Sequence, residues 1–460
     1  MHRLSALGAR IGLADPNHAA IVKGMLAVAA FVFVGKAASA VKEMAVAYRY
    51  GLGPEVDAYQ LLYTLISWPL GVWSSVLTAV LVPLAIRMRD YPGELARFRA
   101  ELLGVAILAG IGLALLGWLG MHTMLLLGHS GLPAVSARLA GAALPGLILL
   151  LPLGMLTALH SAWMLSAGRH VNTLLDCIPT LFIAGLVLAA PGGGMQPLVW
   201  GTVAGCAAHL LALMMPMARR GELNMPRIAL ASPQWVLFWQ GFGIMLAGQA
   251  LMSLTVVIDQ FYAVGLGTGA IATLGYANRI LSLILSLAAV AVSRATLPVF
   301  SQVQTQGAAH FRAVARRWAC LMFAMGVLAM LASHALAPWV VHLLFERGQF
   351  SAADTVAVAR VLRYGLPQMP FYFSSMVLVS YALSQRRYTL VFCSGLIGCV
   401  GKIAGNLLLV PHLGVNGIAL GTMLVYALNA LFFWLALVAR EPRAGQATGG
   451  HASVFKRWFK

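Results

Sequence analysis

Eight ionisable side chains lie inside long apolar stretches of the sequence. They are Lys36, Lys42, Glu43, Asp176, Asp259, Arg279, Arg294 and Lys402. If these stretches cross a bilayer, a charge near its centre costs about 2.5–3.5 kcal/mol even on an insertion scale, so such residues usually face a cavity or a partner. The chemistry that these residues could perform is the binding of an ion or of a charged cargo.

The first apolar stretch carries the densest group of these charges. On an ideal helix that turns about 100° per residue, Lys36 and Glu43 fall within about 20° of each other. Lys42 and Arg49 form a second pair about 120° away from the first. Positive charge over so broad an arc predicts a helix that lines a cavity, and Gly35 offers a place for that helix to bend.

Two interpretations of the basic groups are open. In the first, Lys36, Lys42 and Arg279 bind the phosphates of an anionic headgroup in a central cavity. Arginine can donate bidentately to phosphate, and lysine acts as a compact charge. In the second, Lys36 pairs with Glu43 and Arg279 pairs with Asp259, and no ligand is involved. Basic residues outnumber acidic ones in this set, which favours the cavity.

Asp259, in the seventh apolar stretch, is the candidate for coupling transport to an ion. It could bind a proton or sodium, and Asn406, one turn beyond Lys402, would add an oxygen ligand. Alternatively, Lys402 supplies a built-in cation that pairs with Asp259 and removes the need for an ion. Both alternatives stay open here, because a sequence does not reveal which helices are adjacent.

No catalytic constellation stands out, so we predict that the protein is not an enzyme. Glu55-Val56-Asp57 is the one exception, because membrane glycosyltransferases that use lipid-linked sugars often carry paired acids in the first outer loop. The simpler interpretation is that Pro54, Glu55 and Asp57 begin the second helix, where acids suit the positive end of the helix dipole. The five cysteines show neither Cys-x-x-Cys nor zinc-ligand spacing, and we expect no metal and no other cofactor.

The composition indicates that membrane-spanning helices position these groups. Of the 460 residues, 60% are hydrophobic and 10% are charged, whereas about 25% are charged in an average soluble protein. The net charge of +18 comes from basic tracts in alternate loops, including 87–99, 219–227 and 312–317. This positive-inside pattern places those loops and both termini in the cytoplasm, and it argues against nucleic-acid binding.

About twelve spans follow from the rule that a helix needs about 20 mostly apolar residues to cross a bilayer. The predicted fold class is an all-α, polytopic membrane protein with two pseudo-symmetric six-helix lobes. We divide the chain into an N-terminal lobe (1–220), a cytoplasmic inter-lobe loop (221–233), a C-terminal lobe (234–440) and a basic cytoplasmic tail (441–460). The spans are predicted at 20–49, 58–86, 101–128, 137–167, 171–190, 197–217, 235–264, 271–300, 312–334, 355–384, 388–410 and 415–439.

Three pairs of matching motifs relate the two predicted lobes. They are Gly51-Leu52-Gly53 with Gly265-Leu266-Gly267, Val82-Pro83 with Leu297-Pro298, and Trp200-Gly201-Thr202 with Leu420-Gly421-Thr422. A shift of about 214–220 residues relates all three pairs. Six helices repeated in the same orientation are typical of alternating-access transporters, in which the substrate is held between the lobes.

The chain resembles the MurJ/MviN-type lipid II flippases of the MOP (multidrug/oligosaccharidyl-lipid/polysaccharide) exporter superfamily. The segments that carry the resemblance are Gly275-Tyr276-Ala277-Asn278-Arg279, residues 343–350 (LLFERGQF), Gly365-Leu366-Pro367 and residues 51–59 (GLGPEVDAY). The resemblance implies that Lys36 and Lys42 replace essential cavity arginines of the first helix. It also implies that Glu43 corresponds to a family acid and Arg279 to a cavity arginine on the eighth helix.

The function implied is that of a bacterial inner-membrane flippase for a polyprenyl-diphosphate-linked saccharide, either lipid II or a related envelope or exopolysaccharide precursor. Its partners would be this undecaprenyl-diphosphate-linked cargo, the membrane and envelope-biosynthesis proteins. Coupling to sodium, protons or the membrane potential is open. The chain departs from the family by lacking an arginine pair between Pro69 and Val82 and by stopping after twelve helices, which leaves room for a cargo other than lipid II. The alternatives are a MATE-type multidrug or cation antiporter and a membrane glycosyltransferase.

Overall fold

The protein folds into fifteen α-helices within the part of the chain that its computed structural model describes, residues 16–169, 172–190, 192, 194–303, 308–385 and 387–439. A π-helical turn, Trp434–Ala439, ends the last helix. The helices are α1 Pro16–Tyr50, α2 Pro54–Arg87, α3 Pro92–Leu126, α4 Ala134–Leu147, α5 Leu150–Ser166, α6 Asn172–Leu175, α7 Cys177–Ala189, α8 Gln196–Ala218, α9 Gln234–Val264, α10 Ala270–Val303, α11 Ala308–Phe345, α12 Ala352–Gly365, α13 Gln368–Ser384, α14 Tyr388–Leu413 and α15 Val415–Phe433. The predicted tail and the side chain of Arg294 lie outside the described residues.

The fifteen helices correspond to the twelve predicted spans, because three spans are each built from two helices: α4 with α5, α6 with α7, and α12 with α13. In the described chain, eight helical segments are long and apolar enough to cross a membrane. They become nine when α4 and α5, bent by 47° at their junction, count as one span. The other three are the first, eighth and tenth spans, and each of these carries cations, such as Lys36, Arg279 and Arg360.

A single shift of 218 residues relates the broken fourth span of each lobe. In the first half, a helix of 14 residues beginning at Ala134 is followed by one of 17 residues beginning at Leu150. In the second half, helices of the same two lengths begin at Ala352 and Gln368. The helix breaks therefore repeat as the sequence motifs do, which agrees with the predicted pseudo-symmetry.

Two spans extend well beyond their predicted ends. The prediction for the third begins at residue 101, but α3 begins at Pro92, whose ring suits the first helical position because an N–H there would have no partner in the helix. The prediction for the ninth ends at residue 334, but α11 continues through Pro338 to Phe345. Hydropathy detects only the part of a helix that lies in lipid, so it misses the polar start of α3, residues 92–100. The residues added to α11, 335–345, are themselves apolar, so the predicted ninth span was ended too early.

The apolar cores show how the lobes meet. One cluster spans both lobes near the loops that contain Gly51, Gly267 and Gly348, and it packs Val46 and Tyr59 together with Ile271 and Phe350. We call this end of the bundle the glycine face. At the opposite end, the arginine face, which carries Arg87 and Arg219, the described chain has two separate clusters. One surrounds Phe98 in the N-terminal lobe and includes Trp235 and Phe238 at the start of α9, and the other surrounds Phe311 in the C-terminal lobe. The lobes thus share one core at the glycine face, whereas at the arginine face the start of α9 joins the N-terminal core and α11, α13 and α15 pack around a separate one.

The predicted inter-lobe loop lies in the non-helical stretch between Ala218 and Gln234 and is attached to α3. The buried Glu101 carboxylate accepts hydrogen bonds from the Ser232 backbone at 3.1 Å and from the Trp235 indole at 2.7 Å. Arg227 donates its backbone N–H to the Ala100 carbonyl at 2.9 Å. These bonds fix the start of α9 against the N-terminal lobe at the arginine face.

Candidate functional site

A cavity of about 470 Å³ lies between the lobes, and it is lined by side chains of both. A smaller pocket of about 70 Å³ adjoins it between α1, α10 and α11 and contains Lys36. Glu43 and Arg279 line both spaces. The polar residues lining the larger cavity are Lys42, Glu43, Tyr59, Gln60, Tyr63, Thr64, Ser67, Thr255, Asp259, Gln260, Asn278, Arg279, Ser282, Gln368, Lys402, Thr422 and Tyr426.

Glu43 is the shared counterion of two cations from different lobes. Its Oε1 lies 2.6 Å from Lys42 Nζ on the same helix and 3.0 Å from Arg279 Nε on α10. The Lys42 and Glu43 side chains are 11% and 6% exposed, whereas that of Arg279 is 45% exposed. Arg279 therefore contacts the carboxylate through Nε while much of its guanidinium faces open space.

The alternative pairing expected for these groups, Lys36 with Glu43 and Arg279 with Asp259, does not occur in the structure. Lys36 is partly exposed and forms no ion pair with the described residues. Glu43 pairs instead with Lys42 and Arg279, and Asp259 pairs with Lys402. Helical angles correctly place Lys36 and Glu43 on one face, but they do not measure the reach of the side chains or reveal which helix is opposite.

Lys402 is buried at the cavity wall and holds three helices together. Its ammonium lies 2.8 Å from Asp259 Oδ1 on α9, and on α15 it donates to the Ile418 carbonyl at 3.0 Å and to Thr422 Oγ1 at 2.5 Å. Asn406 Nδ2 donates to the same Asp259 oxygen at 3.1 Å. Of the two arrangements left open by the sequence, the structure has the internal pair between Lys402 and Asp259.

The two spaces together keep an excess of positive charge. Their charged lining residues are four cations, Lys36, Lys42, Arg279 and Lys402, and two carboxylates, Glu43 and Asp259. Two positive charges remain after internal pairing, and they are associated with Lys36 and with the cluster of Lys42, Glu43 and Arg279. A site of this kind favours an anion, above all one whose oxygens can accept several hydrogen bonds from a guanidinium.

Arg49 does not line the cavity as its predicted pairing with Lys42 suggests. It lies in the last turn of α1, where it donates to the carbonyls of Val187 at 2.5 Å and Gly192 at 2.7 Å. Those carbonyls lie at and beyond the C-terminal end of α7, which has no further helical N–H groups to bond them. The positive arc of α1 therefore divides into cavity residues and one structural residue. Asp176 faces His209 at 3.6 Å, away from the cavity lining.

Asp57 is engaged in a contact between the lobes. Its two carboxylate oxygens accept the backbone N–H groups of Gly269 at 2.5 Å and Ala272 at 2.8 Å, at the start of α10. Asp57 is 1% exposed. As predicted, Asp57 lies in the first turn of α2. Its carboxylate, however, caps α10 of the other lobe and not its own helix. A buried carboxylate used in this way is poorly placed to bind a metal or act as a base in sugar transfer.

The loop after α11 makes a second contact between the lobes at the glycine face. Gln349 donates its backbone N–H to the Tyr48 carbonyl at 2.8 Å. Gly348 has a φ of +64°, and a Cβ there would lie 2.2 Å from that carbonyl oxygen. Tyr276 donates its hydroxyl to the Gly51 carbonyl at 3.3 Å. The glycines at positions 51 and 348 are explained by the close approach of two backbones.

Two threonines at equivalent positions of the repeat were not singled out from the sequence as site residues. Thr202 shares a hydrogen bond of 2.8 Å with the Tyr59 hydroxyl, and Thr422 accepts from Lys402. Both belong to the matching motifs Trp200-Gly201-Thr202 and Leu420-Gly421-Thr422. The repeat was the signal that could have identified them, because both threonines occupy the same position in the sixth span of their lobe. Each forms a polar contact with another helix there.

Comparison with known proteins identifies relatives of the chain. The family model described as lipid II flippase MurJ matches residues 46–454. A protein of Helicobacter pylori named probable lipid II flippase MurJ is 30% identical over 208 residues, which are 44% of this chain and 43% of that protein. One of the same name from Bdellovibrio bacteriovorus is 24% identical over 246 residues, which are 53% of this chain and 47% of that protein. The chain thus spans about half the length of these curated relatives.

Two solved structures resemble the whole fold. A lipid II flippase MurJ in an inward closed conformation superimposes with a TM-score of 0.78 at 17% identity, covering 89% of this chain and 87% of that one. An inward-facing MATE-family multidrug transporter of the MOP superfamily gives a TM-score of 0.64 at 16% identity, covering 87% and 93%. These similarities show that the chain has the fold of MOP-superfamily transporters, in which membrane-spanning helices form two lobes.

Proposed function

Because the chain belongs to the family of the lipid II flippase MurJ, we propose that it flips a polyprenyl-diphosphate-linked saccharide across the bacterial inner membrane by alternating access. The single observation that carries this proposal is the cavity between the lobes with two positive charges in excess. A diphosphate is the anionic part of such a cargo, and guanidinium and ammonium groups bind phosphate oxygens by charge-assisted hydrogen bonds.

The binding residues would be Lys36, Lys42 and Arg279, with Glu43 holding the last two in place. Arg279 is suited to the first contact, because its guanidinium is the most exposed of the cavity cations that form ion pairs. Lys36, in the adjoining pocket, would bind a second phosphate oxygen. The negative charge of Glu43 would weaken the attraction between these cations and the anion, which favours release of the cargo.

The cavity would lower the barrier that lipid presents to the diphosphate. Moving an unpaired ion into a medium of low dielectric constant costs on the order of tens of kcal/mol by Born arithmetic. A hydrated basic cavity avoids this cost while the prenyl chain remains in the bilayer. The apolar outer surface of the bundle, with Leu115, Leu126 and Leu408 largely exposed, suits contact with acyl chains.

The positive-inside rule supports an orientation for this cycle. The arginine face would be cytoplasmic, because the basic loops lie there, and the glycine face would be periplasmic. The lobes share one core at the glycine face, whereas at the arginine face α11, α13 and α15 pack around a core separate from that of the N-terminal lobe and the start of α9. Such an arrangement would suit a state that receives its cargo from the cytoplasmic leaflet.

The excess positive charge also argues against the two alternative functions. A MATE-type antiporter of cationic drugs would require a cavity dominated by acids, whereas this one has two more cations than carboxylates. A glycosyltransferase using the Glu55-Val56-Asp57 segment would require an accessible Asp57, which is instead buried and bonded to two backbone N–H groups.

The test is complementation of a strain depleted of its own lipid II flippase, with a triple variant of Lys36→Ala, Lys42→Ala and Arg279→Ala. We expect the unaltered protein to restore growth and the triple variant to fail at equal membrane abundance. Arg87→Ala removes an exposed cation at the arginine face and is the matched control. Growth supported by the triple variant would refute the basic cavity as the cargo site.

Reconstituted vesicles separate the candidate cargoes. Purified protein is assayed with lipid II and, in parallel, with another undecaprenyl-diphosphate-linked saccharide, and translocation is measured with a reagent that modifies only the outer leaflet. Faster translocation of lipid II assigns the protein to peptidoglycan synthesis, whereas preference for the other saccharide assigns it to a different envelope polymer. Translocation of neither would contradict the proposed function.

A further inference from the structure

The ammonium of Lys402 has a complete set of oxygen partners. An ammonium carries three N–H donors, and here the three acceptors are the Asp259 carboxylate, the Ile418 carbonyl and the Thr422 hydroxyl, at 2.8, 3.0 and 2.5 Å. The Lys402 side chain is 1% exposed, and that of Asp259 is 13% exposed. Lys402 thus serves as a buried cation that joins α14 to α9 and α15.

These acceptors are the kinds of oxygen that bind hard metal cations, namely a carboxylate, a backbone carbonyl and a hydroxyl. A sodium ion does not fit among them, because the ammonium already occupies the point on which they converge. A second positive charge at that point would lie in direct contact with a fixed one inside a largely buried site. The geometry therefore excludes a coupling ion from the place where its ligands would otherwise be suitable.

We propose that Lys402 is a tethered substitute for a bound monovalent cation, so that the conformational cycle of this protein proceeds without sodium. The ammonium neutralises Asp259 and connects the three helices, which is the task of a cation held among several helices. Because it is covalently attached, it is present in every molecule and at every salt concentration. This inference depends on the arrangement of the buried cluster and not on the cargo of the flippase.

The proposal implies a latent cation site beneath the ammonium. Truncation of Lys402 would leave the Asp259 carboxylate without a counterion and facing the Ile418 and Thr422 oxygens. Asn406 Oδ1 is buried and accepts no hydrogen bond from the described residues, whereas Nδ2 faces Asp259. Rotation of the amide by 180° would therefore turn a further oxygen toward the site without breaking a hydrogen bond to Oδ1. A sodium ion bound beside Asp259 would restore the charge balance that the lysine provided, whereas a bulky organic cation is too large for the space left by the lysine side chain.

The test measures the melting temperature of the purified full-length protein in sodium chloride and in choline chloride at equal ionic strength. We expect the unaltered protein to melt at the same temperature in both salts. Lys402→Ala should melt lower in choline and should gain stability with increasing sodium in a saturable manner, by about 2–4 °C. The double variant of Lys402→Ala with Asp259→Asn should lose this sodium dependence, because the carboxylate is gone.

Lys42→Ala is the matched control, because Lys42 is a buried cation of the same cavity that also pairs with a carboxylate. Its partner Glu43 retains Arg279 as a counterion, so no sodium dependence should appear. Sodium-specific stabilisation of the unaltered protein would overturn the proposal. So would a folded, monodisperse Lys402→Ala variant that is indifferent to sodium. If that variant does not fold, the unaltered protein still decides the question, because the proposal requires equal melting temperatures in the two salts. The readout is stability, so failure of this proposal is distinguishable from failure of the proposed flippase activity.

Discussion

The Arg279 guanidinium on α10 lies 3.0 Å from the Glu43 carboxylate on α1, so one ion pair joins the two lobes across the wall of the central cavity. Lys42 shares the same carboxylate oxygen at 2.6 Å. This arrangement fixes the orientation of the guanidinium and still leaves much of it facing open space. Glu43 is therefore the counterion of both Lys42 and Arg279.

Replacing Glu43 by glutamine should destabilise the protein more than most single substitutions do. Lys42 and Arg279 would both lose their carboxylate, and removing one partner of a buried pair costs about 3–5 kcal/mol. We expect a value near the lower end, because Arg279 is partly exposed. Chemical or thermal unfolding of the purified protein measures the loss. Glu43→Asp keeps the charge and should lose less, and an unchanged melting temperature for Glu43→Gln would contradict the shared pair.

Asparagine in place of Asp57 should weaken the contact between the lobes at the glycine face. The amide retains one oxygen, whereas the carboxylate accepts from both Gly269 and Ala272. Loss of such a helix cap costs about 0.5–2 kcal/mol, so we expect the state opened at the glycine face to become about tenfold more populated, which corresponds to about 1.4 kcal/mol.

Labelling measures this shift. A cysteine is introduced at Asn278, in the cavity, in a variant that lacks the five native cysteines, and a membrane-impermeant maleimide is added from the periplasmic side. Asp57→Asn should raise the labelling rate. Glu55→Gln changes the other acidic residue in the first turn of the same helix and should leave the rate unchanged. Equal rates in all three proteins would show that Asp57 does not hold the glycine face closed.

Alanine in place of Gly348 should be more costly than alanine at another glycine of similar backbone conformation. Gly348 and Gly128 have φ values of +64° and +67°, so a side chain is strained at both. A Cβ at 348 would also lie 2.2 Å from the Tyr48 carbonyl oxygen, whereas nothing lies within 4 Å of one at 128. We expect Gly128→Ala to cost about 1 kcal/mol and Gly348→Ala about 1–3 kcal/mol more. Denaturant unfolding of both variants gives the comparison, and equal losses would contradict the close approach.

The inter-lobe loop should contribute a pH-dependent part of the stability. Burial alone would raise the pKa of Glu222, but the hydrogen bonds and charge of Arg169 outweigh it and hold that pKa below its ordinary value of 4.5. Arg169 Nη1 lies 2.9 Å from Glu222 Oε2, and Nη2 bonds the other oxygen. A carboxylate whose pKa is depressed by folding stabilises the folded state above its ordinary pKa, and this contribution disappears as the pH falls through the depressed value.

Glu222→Gln should therefore lower the melting temperature at neutral pH, and the difference from the unaltered protein should shrink below about pH 4. Melting curves across this range measure both quantities. Glu94→Gln, another acidic residue near the arginine face that carries no ion pair with a described residue, is the control and should not change with pH in the same way. A difference that is constant from neutral to acidic pH would show that the Arg169 pair is not responsible.

Much of the architecture could be predicted from the sequence because its cause is local. A bilayer admits long apolar helices, so the count of spans and the repeat follow from residue order alone, and the broken fourth span of each lobe recurs at a constant shift. Charges within apolar stretches are rare, so Lys42, Glu43, Asp259, Arg279 and Lys402 could be singled out without coordinates. All five line the central cavity.

The partners of those charges were decided by tertiary structure. Residue order determined that the chain has cations at membrane depth. It also predicted that they face a cavity or a partner, because a lipid-facing position does not accommodate a charge at low cost. Only the tertiary placement of α1 and α10 at the same cavity, and the packing of α9 against α14 and α15, decided that Glu43 binds Arg279 and that Lys402 binds Asp259. An ion pair forms over about 3 Å, a distance that depends on which helices are neighbours and how they are rotated, and neither property is written in the order of residues along one helix.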